Sequence, residues 1–142
     1  MTLDAMKEFE ILAEFDDEDR EALAELLEER SLREGRRIFC EGNEAEGLVL
    51  VTSGSVKLEG RRSASAEIVD APVTLGLLSL IAVGPRECTA LAAEPCELLV
   101  LPRTSFRRLM DDHPRTACRL VEGIVDEASG LIRAALDQLA EA

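Results

Sequence analysis

The sequence predicts a mainly β fold with helices at both ends, on three observations. The middle of the chain carries short apolar stretches separated by turn residues at regular spacing. No helical segment lies between those stretches, and both ends switch to the three-to-four-residue period of amphipathic helices. Many short strands so arranged point to a jelly-roll or barrel. At 142 residues the chain has room for one domain, and roughly 70% of the unfolded chain's surface is buried at that size. We therefore expect a single domain over 1–142, with N-terminal helices at 1–32, a β-roll at 33–101 and C-terminal helices at 102–142.

In the first part, Asp16 is placed to cap a helix. Asp17, Glu18 and Asp19 then load its first turn with negative charge, which the helix dipole favours, and Ala22, Leu23, Leu26 and Leu27 form one apolar docking face. The acidic face is read as solvated. The expected strands are Arg37-Ile38-Phe39-Cys40, Leu48-Val49-Leu50-Val51, Val56-Lys57-Leu58, Glu67-Ile68-Val69, Thr89-Ala90-Leu91 and Leu98-Leu99-Val100-Leu101. Between them fall Glu41-Gly42-Asn43, Ser53-Gly54, Gly60 with Arg61-Arg62-Ser63, Asp70-Ala71-Pro72, Gly84-Pro85 and Glu94-Pro95, all turn signals.

In the third part, Phe106, Leu109 and Met110 mark a short helix interrupted at Asp111-Asp112-His113-Pro114, with Pro114 placed as the first residue of a long last helix. Cys118, Val125, Ile132 and Leu139 repeat every seven residues, interleaved with Val121, Ala128 and Ala135. That is the seam of a two-stranded coiled coil, so we expect a homodimer through this helix. Leu120, Ile124 and Leu131 widen the apolar face. Against the dimer stand the short run and two glycines, Gly123 and Gly130, which weaken the helix and leave packing within one chain open.

Sixteen basic against 29 acidic residues give a net charge of −13, a field that repels phosphate backbones and anionic lipid surfaces. No nucleic-acid or membrane partner is expected. Met1 to Glu10 is too charged for a signal peptide, and Leu75 to Val83 is about half of a membrane span. With Cys40, Cys88, Cys96 and Cys118 scattered and His113 the single histidine, no metal or cofactor has a ligand set. The cysteines are read as small buried residues in a reducing cytoplasm. His113 is read as a residue of the helix junction, and no nucleophile sits in a catalytic context, so no enzyme is expected.

The order of elements, with Arg37-Ile38-Phe39-Cys40-Glu41-Gly42-Asn43 and Leu48-Val49-Leu50-Val51-Thr52-Ser53-Gly54-Ser55-Val56-Lys57-Leu58, resembles the cyclic-nucleotide-binding domain family. That family occurs in CRP/FNR-type regulators, protein kinase A regulatory subunits and cyclic-nucleotide-gated channels. The resemblance covers almost the whole chain and implies a jelly-roll of the double-stranded β-helix type. It also implies a phosphate-binding cassette, similar here to Leu75-Gly76-Leu77-Leu78-Ser79-Leu80 followed by Arg86-Glu87-Cys88-Thr89. In the family the glycine admits backbone N–H groups to the phosphate, the arginine neutralises it and a glutamate accepts from the ribose 2′-hydroxyl.

Gly76 and Arg86 match; Leu77 stands at the glutamate position and Glu87 where a small residue sits. An apolar Leu77 that leaves the hydroxyl unpaired weakens binding roughly 10- to 100-fold. Two readings follow. The chain is a regulatory sensor taking a cyclic nucleotide or other small anion at Gly76, Leu77, Leu78, Ser79, Arg86, Glu87, Cys88 and Thr89. Alternatively it is a degenerate copy that acts as an interaction or dimerisation module with an unknown protein partner. In the second reading Arg86 is a surface or glutamate-paired arginine, and Leu77 and Leu78 are core residues filling a closed pocket. Ser129 lies where family members sometimes cap the base and otherwise reads as an exposed helical serine. No helix-turn-helix is expected after the last helix.

Overall fold

The computed structural model describes residues 2–44, 47–60, 66–80, 86 and 88–141. They form two compact units, one of Leu26–Arg107 and one of Met1–Glu25 with Arg108–Ala142.

The first unit is the β-roll. Its strands are β1 (Glu28–Leu32), β2 (Arg37–Phe39), β3 (Gly47–Ser53), β4 (Ser55–Glu59), β5 (Glu67–Asp70), β6 (Val73–Leu75), β7 (Thr89–Ala92) and β8 (Cys96–Pro102). They form two antiparallel sheets, β1-β8-β3-β6 and β2-β7-β4-β5, so that the chain passes repeatedly from one sheet to the other as a jelly-roll does. The inner faces supply the core: Val49 and Val51 of β3, Val56 of β4, Leu75 of β6, Ala90 and Ala92 of β7, and Cys96, Leu98 and Val100 of β8. Each fully buried valine or leucine contributes about 1.5–3 kcal/mol. Leu48, Leu50, Leu99 and Leu101, on the opposite faces of β3 and β8, are buried as well. Burial on both faces is why these two strands read as continuous apolar runs rather than as alternation.

Gly42 and Gly54 carry the chain through its tight corners with φ of 84° and 96°, a region open to glycine without strain. At Gly54 a Cβ would also stand 2.5 Å from the carbonyl oxygen of Pro95.

The structure corrects the reading of the N-terminal part as helical to Leu32. The helix ends at Ala24, and Glu28–Leu32 is β1, paired with β8 from Glu28↔Val100 to Leu32↔Cys96. Leu26 and Leu27 extend the helical apolar spacing, and β1 is an edge strand exposed at four of its five residues. It therefore has no alternation to read, and its charges suit an edge. The strand β6 was also not expected; Val73–Leu75 is short and follows Pro72 directly. The turns at Arg61-Arg62-Ser63 and Gly84-Pro85 lie outside the described residues.

The second unit is helical: α1 (Thr2–Met6), a 3-10 turn at Glu10–Leu12, α2 (Asp17–Ala24), the end of α3 (Arg103–Asp112) and α4 (Pro114–Glu141). Asp16 caps α2 as expected, in a full capping box: its carboxylate accepts from Asp19 N at 2.8 Å and its own N–H donates to Asp19 Oδ2 at 3.1 Å. Asp19 is buried and ties α2 to α4, accepting from Thr116 Oγ1 at 2.5 Å and from the Arg119 guanidinium. Pro114 opens α4, and the His113 carbonyl accepts from Ala117 N at 3.0 Å.

On α4, Leu120 and Ile124 are buried, whereas Leu131 is exposed and does not extend their buried face. Gly123 has a packing reason: the 3-10 turn crosses α4 there, and any Cβ would run into the Ile11 carbonyl. Of the cysteines, read from sequence as buried, only Cys96 is; Cys40 and Cys88 are half-buried and Cys118 is exposed. Among the described residues no helix is long and apolar enough to cross a membrane.

Candidate functional site

The candidate site is built where β6 ends. Gly76 turns the chain out of the strand with φ of 67°, and residues 77–80 wind into a tight turn. Ser79 closes it twice, donating its N–H to Gly76 O at 2.9 Å and its hydroxyl to the same oxygen at 2.6 Å. Arg103 braces the turn from the start of α3: its Nε and Nη2 donate to Ser79 O at 3.2 and 2.7 Å.

Arg86 reaches this turn. Its Nη1 donates to Ser79 Oγ at 2.9 Å and its Nη2 to Gly47 O at 2.9 Å, and its guanidinium carbon lies 4.2 Å from the centre of the Phe39 ring. The backbone of Arg86 is fixed as well, donating to Asn43 O at 2.7 Å and accepting from Gly42 N at 2.9 Å. The residue is only 9% exposed, which corrects the surface-arginine reading. Burying a guanidinium is costly, and hydrogen bonds to oxygen with a ring stacked on its face compensate in part. Gly76 is needed for space as well as for φ, since a Cβ there would strike Arg86 Nη1 and Ser79 Oγ.

Three of the sequence-predicted residues, Gly76, Ser79 and Arg86, thus come together. Thr89, at the start of β7, accepts from Glu41 N through its hydroxyl at 2.9 Å and so fixes the turn before Arg86's backbone partners. Cys88 is half-buried. Leu77 is half-buried and Leu78 is 49% exposed, so neither fills a closed core, as the degenerate-pocket reading required. Glu87, and with it any pairing to Arg86, lies outside the described residues, as do Ile81 to Pro85. Ser129 is half-buried on α4.

Sequence reasoning missed Phe39, Gly47 and Arg103. Phe39 read as a strand residue, Gly47 was not singled out at all, and Arg103 follows Pro102 with nothing in its neighbours to mark a brace. Along α4, the proposed dimer seam runs over exposed Cys118, Val125, Ala135, Ile132 and Leu139 and half-buried Val121 and Ala128. Among the described residues no group of three or more His, Cys, Asp or Glu is placed to hold a metal ion.

The fold is thus a jelly-roll whose glycine turn at Gly76 holds a buried arginine. The chain belongs to the cyclic nucleotide-binding domain family, whose model matches residues 29–113. Over 119 residues, 82% of this chain, it is 26% identical to a cAMP-dependent protein kinase regulatory subunit of Yarrowia lipolytica. It spans 31% of that protein and less than a third of the curated relatives it first matches. Among solved structures, the N-terminal domain of a transcriptional regulator from Streptomyces coelicolor superposes with a TM-score of 0.78 at 26% identity, covering 89% of this chain and 94% of that one. A cyclic nucleotide-binding domain from Methylobacillus flagellatus gives a TM-score of 0.82, covering 99% and 82%; at 18% identity it speaks for the fold alone.

Proposed function

We propose that the chain is a non-enzymatic regulatory module that binds a cyclic nucleotide, or another small anion, at Gly76, Leu77, Leu78, Ser79, Arg86, Glu87, Cys88 and Thr89. The observation that carries this reading is the buried guanidinium of Arg86 held against the Gly76–Ser79 turn. A cation kept in a water-poor site by a rigid turn binds an incoming anion without the reorganisation a surface arginine requires. Ligand binding is reported through the last helix, as a homodimer along Cys118, Val121, Val125, Ala128, Ile132, Ala135 and Leu139, in the cytoplasm. Calorimetric titration with cyclic AMP and cyclic GMP tests the binding.

A second reading, a module that keeps the fold and has given up the nucleotide for a protein partner, is favoured by two observations. Leu77 offers no acceptor to a ribose hydroxyl, and the Phe39 ring already covers one face of Arg86.

A further inference from the structure

The 3-10 turn Glu10–Leu12 packs on α4, and the spacing of residues along the helix sets the face it uses. Leu120, Gly123, Ile124 and Glu127 follow one another at i, i+3, i+4 and i+7, which is one side of a helix. Leu120 and Ile124 are buried, as are Ile11 and Leu12 of the turn. Gly123 lets the Ile11 carbonyl come down onto the helix. Glu127, half-buried, is the polar end of that face, one helical turn beyond Gly123. The turn itself opens with Glu10, the neighbour of Ile11.

Two carboxylates thus bracket the crossing. Among the described residues neither Glu10 nor Glu127 makes an ion pair. The helix α2, which also packs on α4, brings Asp16 and Asp19, and Arg119 takes up both. Arg20 is paired with Asp17, on which the charge of Lys7 also acts. Glu8 and Glu14, exposed on either side of the turn, add only negative charge, and Arg133 leaves α4 on another side. Burial and the Glu10 carboxylate together push the Glu127 carboxyl up, as a carboxylate that loses water beside a like charge must be.

We propose that the 3-10 turn is a proton-controlled clasp on the last helix: protonation of Glu127 holds Glu10–Leu12 down on α4, and its ionisation loosens the turn while the rest of the chain stays folded. The apolar contacts of Ile11 and Leu12 remain after ionisation, so the loosening is a rise in a minor open state rather than a release. The clasp is tightest below the ordinary carboxylate range and weakens as pH rises through the interval just above it, because there the folded chain gives up the proton it held more tightly than the unfolded one. That is the opposite sense to the Asp19 network. The proposal rests neither on nucleotide binding at the Gly76 turn nor on a dimer.

Amide hydrogen exchange of the full chain, read by NMR between about pH 4 and 8 and divided by the intrinsic rate at each pH, is the test. The reporters are the N–H groups that close the turn, Leu12 to Phe9 O at 3.0 Å and Ala13 to Glu10 O at 3.1 Å. Both should be less protected than Val49 and Val51 of β3 at every pH, which marks a local opening. Their protection should fall about two- to fivefold as pH rises, the effect of a partly exposed charge pair. Glu127→Gln, close in shape to the protonated side chain, should keep the high protection of the acid form throughout. Glu10→Gln should leave a smaller fall, since burial still acts on Glu127. The proposal is overturned if the native chain shows no fall, if the fall persists in Glu127→Gln, or if Leu12 and Ala13 are as protected as the β3 amides, so that the turn opens only when the whole chain unfolds.

Discussion

Arg86 and Ser79 meet through a single hydroxyl. Ser79 Oγ accepts from the arginine at 2.9 Å while donating to Gly76 O at 2.6 Å. A hydrogen bond that passes through one oxygen polarises both members, so the charge of Arg86 tightens the turn and the turn orients the charge. Seven residues separate the two in sequence, and Gly76 allows their approach by lacking a Cβ.

Gly76→Ala is the direct test of that approach. The left-handed φ of 67° costs an L-residue about 1–2 kcal/mol, and relieving the clash with Arg86 and Ser79 adds about 1–3, for a total of about 2–5 kcal/mol. Urea denaturation should show that loss, together with weaker ligand binding. Unchanged stability would mean that the turn is looser than described.

Two carboxylates of the helical unit predict opposite pH dependences. Burial pushes the Asp19 carboxyl up, but the Thr116 hydroxyl, the Asp16 backbone and the Arg119 guanidinium outweigh it and hold it below its ordinary range. As pH falls into the carboxylate range the unfolded chain takes up this proton first, so stability that is full above that range is lost on acidification. Asp19→Asn should remove this share of the acid sensitivity and cost about 1.5–3 kcal/mol at neutral pH, the worth of hydrogen bonds to a charged group. Glu127 is pushed up instead, by burial and by Glu10. There the folded chain holds the proton more tightly, and stability falls as pH rises through the interval above the ordinary range. Glu127→Gln should therefore be the more stable protein at neutral pH and lose its advantage in acid, as read by denaturation midpoints across pH.

The parts of the fold legible in the sequence were those whose period survives burial. The runs at Leu48–Val51 and Leu98–Leu101, the Asp16 cap and Pro114 all lie where local chemistry and tertiary environment agree. β1 was not legible because an edge strand of charged residues shows no hydrophobic face, and its pairing with β8, from Glu28↔Val100 to Leu32↔Cys96, spans about half of the chain. Gly76 and Arg86 were singled out through the family resemblance, and the structure brings them together at the turn after β6. The site was not legible at Phe39, Gly47 or Arg103, since each acts through a partner dozens of residues or more away, or through a backbone oxygen that any residue supplies.

The exposed seam of α4 makes a prediction about assembly. Val125 and Ile132 are 51% and 60% exposed, and a carboxylate at either position would be desolvated in a two-helix interface. Light scattering should find a dimer for the native chain and a monomer for Val125→Glu with Ile132→Glu. A native monomer, or a variant that stays dimeric, contradicts the heptad reading.

Leu77 separates the two functional readings. The family resemblance places an acceptor for a ribose hydroxyl at this position, and Leu77 is half-buried beside an exposed Leu78. Leu77→Glu should tighten cyclic nucleotide binding roughly 10- to 100-fold, the worth of one charge-assisted hydrogen bond. No gain would mean that the ribose does not approach residue 77.

The measurement that bears most directly on the whole account is calorimetric titration of the purified chain with cyclic AMP and cyclic GMP, beside Arg86→Lys and Arg86→Ala proteins whose folding has been checked by thermal melting. Binding to the native chain that is weakened in Arg86→Lys and abolished in Arg86→Ala is the predicted result, because a point charge cannot span Ser79 Oγ, Gly47 O and a phosphate at once. No heat with either nucleotide, or binding that survives in folded Arg86→Ala, would contradict it.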